Sequence, residues 1–396
     1  MNFAYNIFIE VYKTFLWASS LFNKKHRDII LGQQDLIKNI INDTKNTKDI
    51  VWFHISSLGE FEQAKPIISA YKNKYANHRI LMTVYSPSAY NNIKENSDIN
   101  WIFYLPHDTI KNAKKIISSV KPIKVIFVKY EFWYNYLSEI TKNNIPLYYV
   151  CVRFRREQYF FKPYGSWFIK KLQSVTHFFV QDESSKSLLN QAGIKQVTIT
   201  GDSRFEMVKE NAGTKYLNPK IKRFINNRKI FIAGSIWKKD IEIISKIVDK
   251  IGYKFIIAPH ETENIEYLNN LNQSICLSKD IDEGIEDFNI LIIDNIGILN
   301  KLYRYADISY IGGGFGKGVH NILESATYNI PTIFGPNYLK SKEAIDLINL
   351  RCAKSIVNSS ELLDSIIYFE NKNLKDKIKA YIDSNLGSVN TIIENI

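Results

Sequence analysis

Between residues 50 and 201, short apolar runs alternate with longer stretches in which apolar positions recur every three or four residues. The runs at 50–55, 79–86, 102–106, 124–130, 146–152, 177–181 and 197–201 are rich in Ile, Val, Phe and Tyr. Consecutive apolar positions over so few residues suit strands covered on both faces. The stretches between them, 60–75 and 111–120 most clearly, carry helical spacing. Repetition of strand, helix and strand predicts a parallel sheet with crossover helices. The stretch 207–228 breaks the pattern. It holds Gly213, Pro219 and several Lys and Asn, and reads as a connection. The pattern restarts with strands predicted at 229–235, 254–260, 290–294, 308–314 and 331–335, a helix from about Asp240, and helical composition from Ser359 onward. Two α/β halves are therefore expected, 28–206 and 229–396, with ligands at the carboxyl ends of their strands in a cleft.

The first 27 residues follow a different rule. Wound at ~100° per residue, Asn2, Asn6, Glu10, Lys13 and Thr14 share one stripe, and Ile7, Phe8, Val11, Tyr12, Phe15 and Leu16 form a wider opposite face. Glu10 and Lys13 interrupt any apolar span of ~20 residues, which disfavours a transmembrane helix. No basic stretch precedes the apolar part, which disfavours a secretory signal. The basic run Lys24, Lys25, His26, Arg27 follows directly. An aromatic amphipathic helix next to cations suits an anionic membrane surface, so 1–27 is read as a membrane-association segment. The other reading is a helix packed on its own domain.

Composition adds little to this picture. The 396 residues carry a formal net charge of +12, which attracts anionic partners. A general bias towards Lys, Asn and Ile accounts for part of that charge, so charge alone selects no partner. Cys151, Cys276 and Cys352 lie far apart, with neither metal-ligand nor disulfide-framework spacing, which points to a reducing compartment.

The candidate chemistry lies where predicted strands end. Residues 312–324 run from a strand into five glycines within seven residues, with a helix expected near His320. Glycines let backbone approach a ligand, and a helix start offers N–H groups to phosphate. Asn321 and Glu324, three apart, share a helical face, and the carboxylate can accept the hydroxyls of a ribose. In residues 54–60 a strand passes through a small-residue turn to Glu60 at the next helix start. That acid can remove a proton from an attacking hydroxyl, or can simply cap the helix. Lys129 and Glu131 end a strong strand at alternate positions, so period two places them on one face, where they hold an anionic sugar or pair with each other. Arg153 and Arg204 follow predicted strands of the first half and complete a set of cations suited to an anionic donor. Asp280 and Asp282 form a D-x-D, but in an irregular acidic run that reads as a solvated loop. No H-E-x-x-H spacing occurs.

At these residues the chain resembles the Kdo (3-deoxy-D-manno-octulosonic acid) transferase family of lipopolysaccharide assembly, with the motifs in order over nearly the whole length. The family pattern H-x-x-S-x-G-E is met by His54, Ser57, Gly59 and Glu60, and Y-L-P-x-D by Tyr104, Leu105, Pro106 and Asp108. E-x-E-x-W-x-N appears as Lys129, Glu131, Trp133 and Asn135. A-R-L is similar to Cys151–Phe154 with Arg153 retained, and G-x-x-K-F-D to Gly201–Glu206 with Arg204 for lysine. In the second half, P-R-H resembles Pro259 and His260, D-x-M-G-E-L resembles Asp294–Leu299, and G-G-H-N-P-L-E appears as Gly318 and then His320–Glu324.

The resemblance implies a GT-B fold, two Rossmann-like domains facing across a cleft. Residues 28–206 would bind the acceptor, a lipid A precursor, and residues 229–396 the CMP-Kdo donor. It implies an inverting transfer without metal or cofactor at the cytoplasmic face of the inner membrane, and no nucleic-acid partner. Glu60 would be the general base, with Lys129, Glu131 and Arg204 stabilising the transition state. Ser235, Pro259, His260, Ile296, Gly297, Ile298, Asn321, Ile322, Leu323 and Glu324 would hold CMP, and Ser57, Gly59 and Arg153 would meet a substrate anion. The chain departs from the family at Lys129, an acid there; at His260, an arginine there; at Trp237, a histidine there; and at Ile298, which replaces an acid. The competing readings are another GT-B enzyme, such as a UDP-sugar transferase or 2-epimerase, and a non-catalytic basic protein that adheres to membrane or RNA.

Overall fold

The computed structural model describes the chain except for residues 1, 94–95, 262–267, 269–270, 272–273, 278–283 and 296. It divides into two compact units, Met1–Met207 together with Leu386–Ile396, and Val208–Asn385. The acidic D-x-D run and Ile296 lie outside the described residues.

The first unit is built on seven parallel strands: β1 (Ile50–Ile55), β2 (Arg79–Val84), β3 (Trp101–Tyr104), β4 (Lys124–Val128), β5 (Leu147–Val152), β6 (His177–Val180) and β7 (Val197–Ile199). Their order is β3-β2-β1-β4-β5-β6-β7. Every residue of β1 is buried, as a central strand covered by helices on both faces requires. The order reverses between β1 and β4, which leaves a crevice beyond their carboxyl ends. The segments that leave these two strands are 56–60 and 129–133.

The second unit repeats the plan with β8 (Ile230–Ile236), β9 (Lys254–Pro259), β10 (Ser274–Cys276), β11 (Ile290–Ile292), β12 (Ile308–Ile311), β13 (Thr332–Phe334) and β14 (Ala353–Ser355). Their order is β10-β11-β9-β8-β12-β13-β14, all parallel, with the reversal between β8 and β12. Residues 235–237 and 312–318 leave the strands there. Irregularities in register fall at Cys151 beside β6 and at Ser235 beside β9, and both residues take left-handed backbone (φ 56° and 53°). Such kinks re-aim the chain as it leaves a sheet. They precede Arg153 and Trp237.

Three expectations change. The stretch 207–228 is not a linker. It begins inside the helix Arg204–Gly213 and contains the helix Pro219–Ile225. Pro219 occupies the first helical position, where its missing N–H costs nothing, Asn218 caps it, and Ile221 and Phe224 are buried. The second domain does not run to residue 396. The helix Ser388–Glu394 packs on α4 (Leu58–Lys74, numbered after α1 to α3 below), burying Val389, Ile392 and Ile393 in the first unit's core. Lys74 Nζ donates to Ile393 O at 2.7 Å, and Glu206 Oε1 accepts the N–H groups of Gly387 and Val389. The helix after the glycine run starts at Leu323, not His320, and is a single turn, Leu323–Ala326.

The N-terminal segment forms α1 (Asn2–Ser19), followed by α2 (Lys24–Gly32) and α3 (Leu36–Thr44). α1 is seated on its unit by Ile9 and Leu16, which are buried, and by Tyr5, whose hydroxyl donates to Asp108 Oδ2 at 2.6 Å. Tyr12 hydrogen-bonds Tyr85. Its other apolar side chains, Phe3, Ile7, Phe8, Val11, Phe15 and Trp17, are exposed, as are Leu21 and Phe22 beyond it. The helix thus packs on its own domain along one stripe and leaves a second apolar stripe bare. Among the described residues, no helix is long and apolar enough to cross a membrane.

Candidate active site

In the first unit the turn after β1 delivers Glu60 to the third position of α4. Ser57 is the N-cap, and Ser57 and Glu60 form a reciprocal capping box, an arrangement worth about 0.5–2 kcal/mol to a helix end. Glu60 Oε2 accepts the N–H groups of Ser56 and Ser57. Gly59 has open space around its α-carbon, and so serves no close packing. The acid is therefore a cap, but an unusual one. It is 8% exposed, and its carboxyl is pushed up to about 7, first by burial and then by the charge of Glu131; the Ser56 N–H, Lys129 and His54 pull the other way. Its second oxygen, Oε1, accepts no hydrogen bond from any described residue.

Glu131 is held by a network that sequence reasoning passed over. His54, fully buried in β1, places Nδ1 at 2.9 Å from Thr83 O and Nε2 at 2.9 Å from Glu131 Oε2. A carbonyl and a carboxylate both only accept, so the ring donates through Nδ1 to Thr83 O and through Nε2 to Glu131 Oε2. The Trp133 indole N–H donates to the same Oε2 at 2.7 Å. Burial raises the Glu131 carboxyl, but the charge and hydrogen bond of His54, with Ser56 and Trp133, outweigh it and hold the group below the ordinary carboxylate range. Two neighbouring carboxyls are thus driven apart, one towards the neutral form and one locked as the anion, the pattern that separates a proton acceptor from a fixed charge. His54 and Trp133 stand in the motifs quoted above, and their place there was the available signal. Asp108 and Asn135, also motif residues, serve packing: Asp108 is 1% exposed and accepts Tyr5 O–H and the N–H groups of Asn135 and Tyr136.

Lys129 departs from expectation. β4 stops at Val128, and Lys129 has left-handed backbone (φ 62°), so period two does not govern 129–131. Lys129 and Glu131 make no ion pair; the Lys129 charge instead acts on Glu60 and Glu62. Arg204 is oriented by two hydrogen bonds to one oxygen of Asp202, Nε at 2.9 Å and Nη2 at 2.7 Å from Oδ2, and its charge also reaches Glu62. Gln63 holds the other Asp202 oxygen at 2.7 Å. Arg153 pairs with Asp182 at 3.0 Å.

In the second unit the glycine run wraps a cavity of about 470 Å³ lined by Trp237, Lys239, His260, Phe315, Lys317 and His320 among others. Its glycines are dictated by close approach. A side chain at Gly312 would meet Ser235 O at 2.2 Å, and one at Gly314 the Gly335 backbone at 2.6 Å. Trp237, His260 and His320 form one stack, with ring centroids 4.6 Å apart for Trp237 and His260 and 4.3 Å for His260 and His320. The Trp237 indole donates to His320 Nε2 at 3.1 Å, and burial with the neighbouring His260 pushes the His320 imidazole down to about 4. Two of the departures from the family pattern, at Trp237 and His260, are therefore one structural change. Ser235, one residue before the end of β8, and Pro259, the last of β9, come shortly before the cavity residues Trp237 and His260, and Gly297, at φ 90°, precedes Ile298 at the start of the helix Leu299–Leu302. Asn321 Nδ2 donates to Glu324 Oε1 at 3.2 Å and Asn321 Oδ1 accepts the Leu323 N–H, while Ile322 and Leu323 are buried. Among the described residues, no group of three His, Cys, Asp or Glu side chains is placed to hold a metal.

Residues 32–207 match the family described as 3-deoxy-D-manno-octulosonic-acid transferase (kdotransferase). A bifunctional glycosyltransferase/methyltransferase of Fusobacterium nucleatum is 27% identical over 374 residues, 88% of this chain and 57% of that protein, so the chain spans little more than half of it. A 3-deoxy-D-manno-octulosonic acid transferase of Aquifex aeolicus is 27% identical over 344 residues, 85% of this chain and 89% of that protein. A solved UDP-GlcNAc 2-epimerase from Methanocaldococcus jannaschii superposes with a TM-score of 0.57 at 15% identity, over 82% of this chain and 94% of that one, a likeness of fold alone. Two doubly wound parallel units, each with its chemistry-bearing side chains where strand order reverses, make the chain a glycosyltransferase of the GT-B fold. Over residues 32–207, and in its 27% identity to the Aquifex aeolicus enzyme, it is similar to the Kdo transferases.

Proposed function

We propose that the chain transfers Kdo from CMP-Kdo to a tetra-acylated lipid A precursor, with inversion and without a metal. The observation that carries the reading is Glu60, a buried carboxyl raised to about 7 beside an anion locked at Glu131, at the strand-order reversal of the first unit. Glu60 Oε1 takes the proton of the acceptor hydroxyl. The hydroxyl oxygen forms its bond to the anomeric carbon of Kdo on the face opposite CMP, and the bond to the phosphate oxygen breaks with its electron pair leaving on CMP. The Glu131 carboxylate stabilises the oxocarbenium-like sugar, and Lys129 and the Asp202-oriented Arg204 counter charge growing on the departing phosphate. In the second unit the glycine run, Ser235, Pro259, His260, Gly297, Ile298 and Asn321–Glu324 hold CMP, with Glu324 accepting ribose hydroxyls and Asn321 fixing its rotamer. Ser57 and Gly59 line the approach to the base.

The bare apolar stripe of α1 supports peripheral attachment to the cytoplasmic face of the inner membrane, where both the acceptor lipid and anionic headgroups are found. The reaction is tested by incubating the protein with CMP-Kdo generated in situ and tetra-acylated lipid A precursor, followed by mass spectrometry of the lipid. A mass gain of one or more Kdo units is expected, with CMP but not UDP-GlcNAc binding in calorimetry. No gain, or binding of UDP-GlcNAc alone, rejects the reading.

A further inference from the structure

The first unit carries a second concavity whose chemistry the reaction above does not use. It is a cavity of about 450 Å³ bordered by Arg153, Arg155, Arg156 and Glu157 after β5 and by Asp182 and Ser184 at the start of the helix Glu183–Gln191. A short rule of sequence builds it. Phe154 is buried in the core and its N–H donates to Ser185 Oγ at 2.8 Å, which ties this segment to the helix and leaves Arg153 and Arg155, on either side of Phe154, at the cavity.

Three guanidinium groups meet two carboxylates there. Asp182 is already engaged: Oδ2 accepts Arg153 Nε at 3.0 Å, and Oδ1 accepts the N–H and O–H of Ser185 at 2.8 and 2.7 Å. Arg155 and Arg156 are exposed and enter no ion pair among the described residues. Like charges gathered in one concavity repel until an anion joins them. The guanidinium fork matches phosphate oxygens two at a time, which a solvated lysine does not. The volume exceeds what a bare phosphate fills and falls in the range of small-ligand sites. The segments that border it leave β5 and β6 at the carboxyl ends of the same parallel sheet whose β1 leads to Glu60, and the charges of Arg155, Arg153, Asp182 and Glu60 all act on Tyr130.

We propose that this cavity receives a phosphate monoester borne on the acceptor sugar, gripped by Arg155 and Arg156 beside an Arg153 fixed by Asp182, so that the phosphate sets which hydroxyl meets Glu60. The proposal rests on the reading of the acceptor as an acylated, phosphorylated sugar. The test compares the full chain with its R155Q/R156Q variant. With the phosphorylated lipid A precursor, the variant's KM should rise roughly ten- to a hundredfold, the worth of lost charge-assisted hydrogen bonds. With the same lipid stripped of phosphate, variant and parent should not differ. Equal losses on both lipids, or no loss on either, overturn the proposal. A second arm needs no transfer. Glucosamine 1-phosphate, inorganic phosphate and phosphatidylglycerol vesicles are offered separately in calorimetry and sedimentation. Binding of the two phosphates by the parent and its loss in the variant support the site, even if no Kdo is ever transferred. A variant that loses only vesicle binding identifies a surface patch for anionic lipid and overturns the site.

Discussion

The two units share a sheet plan but use its reversal point differently. In the first, the ends of β1 and β4 carry ionisable side chains sunk among aromatic rings, where burial and mutual charge separate Glu60 from Glu131. In the second, the ends of β8 and β12 carry backbone with almost no side chain, five glycines within 312–318, walled by a stack of rings. On the function proposed above, one end moves a proton and the other lets a ligand's phosphate approach main chain. The same fold position thus yields different chemistry because strand topology supplies only the crevice, and the residues leaving the strands decide its use. The surfaces differ too. Large exposed apolar side chains gather on α1 in the first unit, whereas in the second they are scattered, as at Leu217, Leu339 and Val357.

The largest expected effect separates proton transfer from nucleotide binding. Glu60→Gln keeps an oxygen that can accept the Ser56 and Ser57 N–H groups, so α4 stays capped, but it cannot take a proton. Turnover should fall by roughly a thousandfold, within the span of general-base catalysis, while CMP affinity measured by calorimetry stays at the parent value. Turnover within tenfold of the parent would move the base elsewhere. Weakened CMP binding would show that the division of labour between the two units is misread.

The second effect concerns the apolar stripe. Phe3 and Phe15 are 78% and 58% exposed. Moving each ring from water into an interfacial layer contributes on the order of 1–2 kcal/mol. Phe3→Ser with Phe15→Ser should therefore lower partition onto anionic vesicles roughly a hundredfold, read by co-sedimentation. Leu217→Ser with Leu339→Ser in the second unit should leave partition where it was. If the second pair matters as much as the first, attachment does not run through α1.

Much of this was legible in the chain because strands covered on both faces announce themselves as apolar runs, as 50–53 and 125–128 do. The three-residue strands β10 and β14 carry no such run and could not be read. The helix Ser388–Glu394 was visible as a helix, but no local signal says which core its Val389, Ile392 and Ile393 enter. Glu60 and the glycine run were legible because turn chemistry is local. The grip of His54 on Glu131, 77 positions away, depends on β1 lying beside β4, and the Trp237–His260–His320 stack on three separate chain segments meeting. Lys129 was misread because a single residue of left-handed backbone ends the strand period without a glycine to mark it.

The smallest effect tests the cause of the separation itself. Glu60 is raised first by burial and then by the Glu131 anion. A general base acts only when ionised, so kcat/KM should climb as pH rises through about 7 and fall tenfold per unit below it. Glu131→Gln removes the anion but leaves the burial. Glu60 then ionises more readily, and the rising limb should move to lower pH by on the order of one unit, still short of an ordinary carboxylate. The height of the profile will also drop, since Glu131 is read as stabilising the sugar cation, but its position is set by Glu60 alone. A limb that stays near 7 would assign the elevation wholly to burial. A limb that moves to higher pH would mean that the acid titrating in the profile is not the one flanked by Glu131.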